Sequence, residues 1–213
     1  MIDIILPVHN SKPHLRATIE SLLSSTNYPF RLLLIESEST DGTDKYCDGL
    51  SAIYENVKVF HIPKKGLVNA INFGIQQSEN DVYITQDDVI HFRLYGMDWL
   101  ADMVDMSRHK QIAMITGLYG GGVSGKDYID GFRWVGTWNM FLPRKTIKKV
   151  GMFDENMGPG DDIDYCYRCK EAGLKFAVCP FWVQHHRLTE HGDVDSKNKQ
   201  KQMSDYFKRK HKL

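Results

Sequence analysis

Apolar and polar residues along the first half of this chain alternate in blocks that fit strands and helices in turn. Short apolar runs of strand length occur at residues 2–8, 31–36, 57–62, 81–85 and 112–118. Between these runs, apolar residues recur every three or four positions, which is the period of an amphipathic helix. The predicted helices cover residues 11–25, 44–53, 66–77 and 97–107. This alternation predicts an α/β fold with a mainly parallel central sheet and helices on both faces.

The pattern is less regular after Leu118. It predicts a Gly-rich loop at residues 120–125, a strand near 138–142, a short helix from Arg144, a helix over 162–172 and a strand over 176–184. A chain of 213 residues is long enough for one sizeable core, and no Pro-rich or Ser-rich linker divides it. We therefore expect a single domain.

Composition and charge narrow the functional classes. Lysine plus arginine and aspartate plus glutamate both number 27, so the formal net charge is zero and does not favour a nucleic-acid partner. The chain opens on MIDIILPV without a basic segment, and no apolar run approaches about 20 residues. We therefore expect no transmembrane segment and a cytoplasmic location.

The cysteines favour a reducing compartment, because four in a chain of this length are too few for a disulfide scaffold. Cys166 and Cys169 form a C-x-x-C pattern inside a predicted helix, with no second pair at zinc spacing. This context favours buried small apolar residues over zinc ligands.

Polar residues follow the ends of several predicted strands. The turn at residues 7–10 ends the first strand, Glu36 ends the second, and the pair Asp87 and Asp88 follows the fourth. The carboxyl ends of parallel strands lie along one rim, where open α/β sheets bind ligands. Carboxylates there suit Mg²⁺ or Mn²⁺ carrying a diphosphate. The alternatives are a helix cap or solvated turn for the acid pair and a solvent-exposed side chain for Glu36.

Six segments in order resemble the family 2 glycosyltransferases of the GT-A fold. They are ILPVHN, LLLIESESTDGT, KKGLVNAINFG, DVYITQDDV, GTWNMFLPRKTIKKVGMFDENMGPGDDIDYCYRCKEAGLKF and VQHH. The resemblance runs over nearly the whole chain and implies a single GT-A domain. It implies a nucleotide-sugar-binding half at residues 1–118, an acceptor and catalytic half at 119–192, and a basic tail at 193–213.

The resemblance also implies which residues hold the nucleotide-sugar donor. Pro7, His9 and Asn10 of the first turn and Lys65 of the KKGLVNAINFG segment would contact the nucleotide. Glu36 stands where the family has an aspartate that contacts the base or ribose, and its side chain is one methylene longer.

A metal site is implied as well, for Mn²⁺ or Mg²⁺. The family's DxD motif corresponds to Gln86, Asp87 and Asp88, with an amide in place of the first acid. Asp88 is then the expected metal ligand, and Asp87 is expected to face the ribose or to support the site. The family's late histidine corresponds to His185 or to His186, and both remain candidates.

The family's catalytic base corresponds to the pair Asp161 and Asp162 at the start of a helix, with Asp162 as the base. Capping of that helix is the structural alternative for both residues, and the two roles are compatible. The implied reaction is metal-dependent, inverting transfer of one sugar, most simply from a UDP-sugar, to a glycan, lipid-linked or other hydroxyl acceptor. The alternative function is a catalytically silent module that binds a nucleotide-sugar.

Departures from the family pattern refine this picture. Processive polysaccharide synthases of the family carry a Q-x-x-R-W motif after the base, whereas the DGFRW segment at residues 130–134 lacks the glutamine and precedes the base. One sugar per encounter is therefore expected. The acceptor is expected near residues 119–138, where Trp134 and Trp138 are candidates to stack on a sugar or to belong to the core.

Two further segments have competing interpretations. GGGVSGK at residues 120–126 matches a P-loop pattern, but Asp127 follows where that motif needs a hydroxyl, which disfavours an NTPase. The tail is strongly basic at residues 197–212 and predicts a helix that packs Tyr206 and Phe207 on the domain. Its charge would suit a phosphate-bearing acceptor or peripheral membrane contact, and a solvated helix end is the alternative.

Overall fold

The computed structural model describes residues 1–93, 96–119, 122–123, 135–157, 160–185 and 194–212. Nine strands and seven helices lie within these ranges. The strands are β1 (Ile2–Val8), β2 (Phe30–Glu36), β3 (Val57–His61), β4 (Val82–Thr85), β5 (Val89–His91), β6 (Ile112–Tyr119), β7 (Gly122–Val123), β8 (Asn139–Leu142) and β9 (Lys175–His185). The helices are α1 (Lys12–Ser25), α2 (Thr43–Ile53), α3 (Leu67–Gln76), α4 (Trp99–Ser107), α5 (Arg144–Val150), α6 (Asp161–Glu171) and α7 (Val194–His211).

All nine strands belong to one sheet, in the order β3-β2-β1-β4-β8-β6-β9-β5, with β7 paired to β6. Strands β1 to β4 are mutually parallel where they pair. Strand β8 runs antiparallel between β4 and β6, and β5 runs antiparallel at the edge beside β9. The sheet is therefore mixed but mostly parallel, as predicted, and it continues without a break across Leu118.

Helices cover both faces of the sheet, because successive residues of a strand point to opposite sides. On one face, Ile4 and Leu6 of β1 belong to a buried cluster with residues of α1, α2 and α4. On the other face, Ile5 belongs to a cluster with residues of α3, α5 and α6. Helix α3 lies so close to the sheet that a Cβ added at Gly74 would come within 2.6 Å of Ile5. This arrangement of helices on both faces of the sheet confirms the predicted architecture.

The predicted elements agree with the observed ones to within about two residues at each end. Strand β5, however, was not predicted as a separate element, although it places the acid pair beside the last strand of the sheet. Cys166 and Cys169 are both fully buried free thiols, which confirms the interpretation as small apolar residues.

The C-terminal helix α7 packs on the domain through one aromatic ring and several ion pairs. Phe207 is buried and meets the ring of Tyr167 of α6 edge-on. The Tyr206 hydroxyl donates to Asp154 Oδ2 at 3.0 Å. Lys210 Nζ lies 2.7 Å from Asp154 Oδ2 and 2.7 Å from Oδ1 of the fully buried Asp164. The predicted packing of the tail is confirmed, and Lys210 bridges two carboxylates of the domain.

Replacing Lys210 with Met should therefore destabilise the protein. The change leaves the two carboxylates without their shared cation, and hydrogen bonds to charged groups contribute roughly 1.5–3 kcal/mol each to stability. Urea unfolding of Lys210→Met should show a loss of this size. The matched control is Lys208→Met, which removes the same charge from an exposed position of α7 and should leave the midpoint almost unchanged. Equal midpoints for the two variants would contradict this account of the tail.

Within the part of the chain that the structure describes, no helix has both the length and the apolar character that a membrane crossing needs.

Candidate active site

A cavity of about 280 Å³ opens at the carboxyl ends of the parallel strands. The turn after β1, the turn after β2, the loop before α3, the first residues of α3 and the loop after β4 all contribute to it. Its lining residues are Pro7, Val8, His9, Ser37, Lys64, Gly66, Leu67, Ala70, Gln86 and Asp87. The cavity thus lies on the rim that the strand order predicts for a ligand.

His9 connects three sides of this cavity. Its Nδ1 lies 2.6 Å from the carbonyl oxygen of Ser37, which only accepts hydrogen bonds, so Nδ1 carries the proton. Nε2 of a neutral ring is then an acceptor, and Lys64 Nζ donates to it at 2.7 Å. Asn10, the next residue, accepts from the backbone N–H of Thr40 through Oδ1 at 2.8 Å. The first turn is therefore tied to the turn after β2, and the Lys64 ammonium is held at the cavity.

Two of the predicted donor-binding residues take other positions. Glu36 is 3 % exposed, and both of its carboxylate oxygens contact protein groups, one the backbone N–H of Ser39 and the other His61. It is not among the residues that line the cavity. Lys65 is not among them either, whereas its neighbour Lys64 is. Pro7 and His9 line the cavity as expected, and Asn10 supports it from the adjoining turn.

The two acids after β4, Asp87 and Asp88, contact different parts of the protein. Asp87 lines the cavity, and its Oδ2 accepts from the hydroxyl of Ser11 at the start of α1. Thr18 of the same helix donates to the Asp87 carbonyl oxygen at 2.7 Å. Asp88 is nearly buried, and its Oδ1 lies 3.0 Å from Nδ1 of His185. The two acids therefore present carboxylates to different neighbours.

Strand β5 brings the predicted metal ligands together. Val89, which follows Asp88 directly, is the register partner of His185 at the end of β9. The His185 ring also packs against Trp138, with ring centroids 5.0 Å apart. The prediction left His185 and His186 open, and His186 lies outside the described residues. The Gly-rich loop near residues 120–126, apart from 122–123, and Trp134 also lie outside them.

The Asp88 and His185 pair fits a divalent ion. Asp88 Oδ1 and His185 Nδ1 lie 3.0 Å apart, and a carboxylate oxygen and an imidazole nitrogen are both donor types that a divalent ion such as Mn²⁺ accepts. An ion that arrives with a diphosphate needs few protein ligands, because phosphate oxygens and water complete its shell. In the described ranges no cluster of three or more His, Cys, Asp or Glu side chains forms a metal cage.

Asp161 and Asp162 lie in the first turn of α6, directly after Gly160, whose φ of 114° lies in the left-handed region that favours glycine. The backbone N–H of Ile163 donates to Asp162 Oδ1 at 2.8 Å. The Oδ2 atom of Asp161 is buried and has no hydrogen-bond partner in the described structure. Burial, together with the charge of Asp162, raises the pKa of Asp161 to about 7. Burial also raises the pKa of Asp162 to about 6.

Helix α6 points this first turn toward the rim. Near its middle, Cys166 Sγ accepts from the backbone N–H of Val135 at 3.2 Å. Val135 lies just before β8, which begins with Asn139 beside Thr85, the last residue of β4. The C-terminal end of α6 lies near the start of β9, because the backbone N–H of Leu174, just before Lys175, donates to the carbonyl oxygen of Cys169 in α6. The carboxylates of the first turn are thus on the same side of the sheet ends as the acid pair.

The family to which this chain belongs follows from its sequence: residues 3–155 match the model of glycosyl transferase family 2, and the chain is a member of that family. Among curated relatives, it is 26 % identical over 74 % of its length to the minor teichoic acid biosynthesis protein GgaA of Bacillus subtilis. It spans 40 % of that relative's length.

Two solved structures share its fold. The mannosyltransferase PcManGT of Pyrobaculum calidifontis, in complex with GDP-Man and Mn²⁺, superposes with a TM-score of 0.76 at 16 % identity, over 99 % of this chain and 63 % of that one. TarS of S. aureus, in complex with UDP, gives a TM-score of 0.66 at 15 % identity, over 86 % of this chain and 60 % of that one. These likenesses confirm the predicted GT-A fold.

Proposed function

We propose that this domain transfers one sugar from a nucleotide-diphospho-sugar, of the UDP type, to an acceptor hydroxyl, with a divalent metal and with inversion at the anomeric carbon. The observation that carries the proposal is the meeting of Asp88 and His185 next to a cavity that presents Lys64, His9 and Asp87. Oxygen and imidazole ligands with a nearby ammonium suit a metal-bound diphosphate.

Each group has a role in this proposal. Asp88 and His185 would hold the metal ion, which would supply positive charge to offset that of the departing diphosphate. Lys64 adds a positive charge at the cavity. Asp162 removes the proton from the acceptor hydroxyl as that oxygen attacks the anomeric carbon from the side opposite the diphosphate. A base with a pKa of about 6 is ionised at neutral pH and still accepts a proton readily.

The fold neighbours support the donor class by analogy. PcManGT was solved with GDP-Man and Mn²⁺ and TarS with UDP, so this fold accommodates both nucleotide types. The acceptor is proposed to be a glycan, a lipid-linked sugar or another hydroxyl compound. The competing proposal, a silent nucleotide-sugar-binding module, has the replacement of the first DxD acid by Gln86 in its favour. It predicts nucleotide binding without turnover.

Calorimetric titration of the protein with UDP, GDP and dTDP, each with and without Mn²⁺, tests the donor class. Lys64→Met should weaken metal-dependent UDP binding about tenfold. A hydrogen bond from an ammonium to a phosphate contributes about 1.5 kcal/mol to the binding free energy, and about 1.4 kcal/mol corresponds to a factor of ten in affinity. Lys65→Met is the matched control and should bind nearly as the wild type does, because Lys65 does not line the cavity. Equal losses in the two variants would contradict this placement. No binding of any nucleotide would overturn the donor site itself.

A further inference from the structure

Three ionisable side chains form a row beside the cavity, where β2 and β3 end. Glu36 closes β2, and its register partner His61 closes β3. Glu36 Oε2 lies 2.9 Å from His61 Nδ1, and His61 Nε2 lies 2.9 Å from Oδ1 of Asp48 on α2. The imidazole thus lies between two carboxylates.

This geometry defines the protonation state of the ring. An ionised carboxylate only accepts hydrogen bonds, so both ring nitrogens of His61 must carry protons and the ring must be a cation. The pKa directions agree with this. The hydrogen bond to Glu36, followed by that to Asp48, raises the pKa of His61 above its ordinary value. Burial alone would raise the pKa of Glu36, but the hydrogen bonds from His61 and Ser39 outweigh it and hold that pKa low.

Other charges around the ring are few in the described structure. In the described structure, the ionisable side chains that contact the His61 ring are Glu36 from β2 and Asp48 from α2. Behind Glu36 lies the buried thiol of Cys47, whose pKa is raised to about 12 by burial and then by the charge of Glu36, so it stays protonated. The His61 side chain is 49 % exposed, so its proton exchanges readily with solvent.

Glu36 connects this row to the cavity through the turn after β2. Its Oε1 accepts from the backbone N–H of Ser39 at 2.6 Å. The hydroxyl of Ser39 in turn accepts from the backbone N–H of Asn10 at 3.0 Å. In the same turn, the carbonyl oxygen of Ser37 accepts a hydrogen bond from Nδ1–H of the cavity residue His9.

The turn needs this support because its backbone is unfavourable. Glu38 has a φ of 51°, and Asn10 in the turn after β1 has a φ of 50°. Residues with a Cβ rarely adopt the left-handed region, and they stay there only when surrounding contacts hold them. If His61 lost its proton, one of its nitrogens would become an acceptor facing a carboxylate. In either tautomer the ring would lose the positive charge that Glu36 faces, so the support of the turn would weaken.

We infer that protonated His61 is a positioning residue for nucleotide binding: it holds Glu36, and Glu36 holds the turn whose Ser37 carbonyl orients His9 in the cavity. The ligand class is the nucleoside diphosphate of the proposed function, on which this inference rests. Nucleotide binding should then favour the protonated ring, and by reciprocity a bound nucleotide should make the ring harder to deprotonate.

The test is the affinity for UDP in the presence of Mg²⁺, measured by calorimetry from pH 7 to pH 9 on the full chain. Over this range the terminal phosphate, with a pKa of about 6, is already ionised. Wild-type affinity should fall about three- to fivefold as the pH rises through the raised pKa of His61, which is the scale of a partly exposed ion pair. His61→Gln should bind weakly at every pH, and His61→Arg should bind tightly at every pH, because its cation is permanent. Asp48→Asn keeps Glu36 and His61 but removes one carboxylate, so the fall should occur at lower pH.

The variants separate this inference from other titrations. Asp161 and Asp162 are unchanged in all of them, so the difference between the profiles reports His61 alone. A His61→Gln profile that coincides with that of the wild type would overturn the inference while leaving the proposed function intact. Absence of UDP, GDP and dTDP binding at every pH would instead overturn the proposed function.

Discussion

Replacing Asp162 with Asn should lower the rate of sugar transfer by about 10²- to 10⁴-fold, which is the usual contribution of a positioned general base. The amide has almost the same shape as the carboxylate but cannot take the acceptor proton. Metal-dependent affinity for the nucleotide should change little, because Asp162 belongs to α6 and not to the cavity lining. The measurement is nucleotide release from a panel of nucleotide-sugars, alongside calorimetry with the matching diphosphate.

The pH dependence of the wild type should identify the same group. The base must be ionised to act, so the rate should fall as the pH drops through its pKa. Burial raises the pKa of Asp162 to about 6 and that of Asp161 to about 7, so the rising limb of the profile should lie between these values. A limb near pH 4, the ordinary range of an aspartate, would show that the base is solvated or is another residue.

Asp161→Asn provides the control for this pair. It leaves the Asp162 carboxylate and the burial that raises its pKa, so the limb should stay near pH 6 while the plateau rate stays within about tenfold of the wild type. If Asp162→Asn retained full turnover, the assignment of the base would be wrong. If the wild type bound nucleotide but turned over no donor, the silent module would be the better description.

The strands and helices could be predicted because the information that specifies them is local. Strands β1 and β2 are mainly apolar runs, and α1 has leucine and isoleucine at helical spacing, so the pattern alone specifies their type. Strand β5 has only three residues, and it is a strand because it pairs with β9 nearly a hundred residues later. Such a pairing leaves almost no local signal. The antiparallel insertion of β8 between β4 and β6 is likewise a property of the assembled sheet.

The candidate site likewise contains residues that the sequence predicts and contacts that only the assembled fold creates. Asp88 and a late histidine, either His185 or His186, were predicted from the resemblance, and the register of β5 and β9 brings Asp88 and His185 together. Lys64 and Lys65 are neighbours in one loop, and the loop backbone, not the residue type, decides which of them reaches the cavity. Glu36 was predicted from its place at a strand end. Its contact with His61 depends on the pairing of β2 with β3, which the sequence pattern does not encode.

Replacing Asp88 with Ala should abolish the metal dependence of nucleotide binding. The wild type should bind UDP more tightly in Mn²⁺ than in EDTA, because the ion links the diphosphate to Asp88 and His185. Without Asp88, one of the two protein ligands is lost, and affinity in Mn²⁺ should fall by at least about 10- to 100-fold. Affinity in EDTA should stay at the wild-type value, since the cavity residues that contact the nucleotide itself are unchanged.

The comparison between the two conditions makes this variant informative. A protein that is merely destabilised would lose affinity in Mn²⁺ and in EDTA alike, whereas loss of a metal ligand removes only the difference between them. His185→Ala should reduce the same difference, and Asp105→Ala, an exposed acid of α4, should leave it intact. Metal dependence that survives in both Asp88→Ala and His185→Ala would place the ion elsewhere. The 3.0 Å contact would then be an ordinary structural hydrogen bond, and the leaving diphosphate would need its charge neutralised by groups such as Lys64.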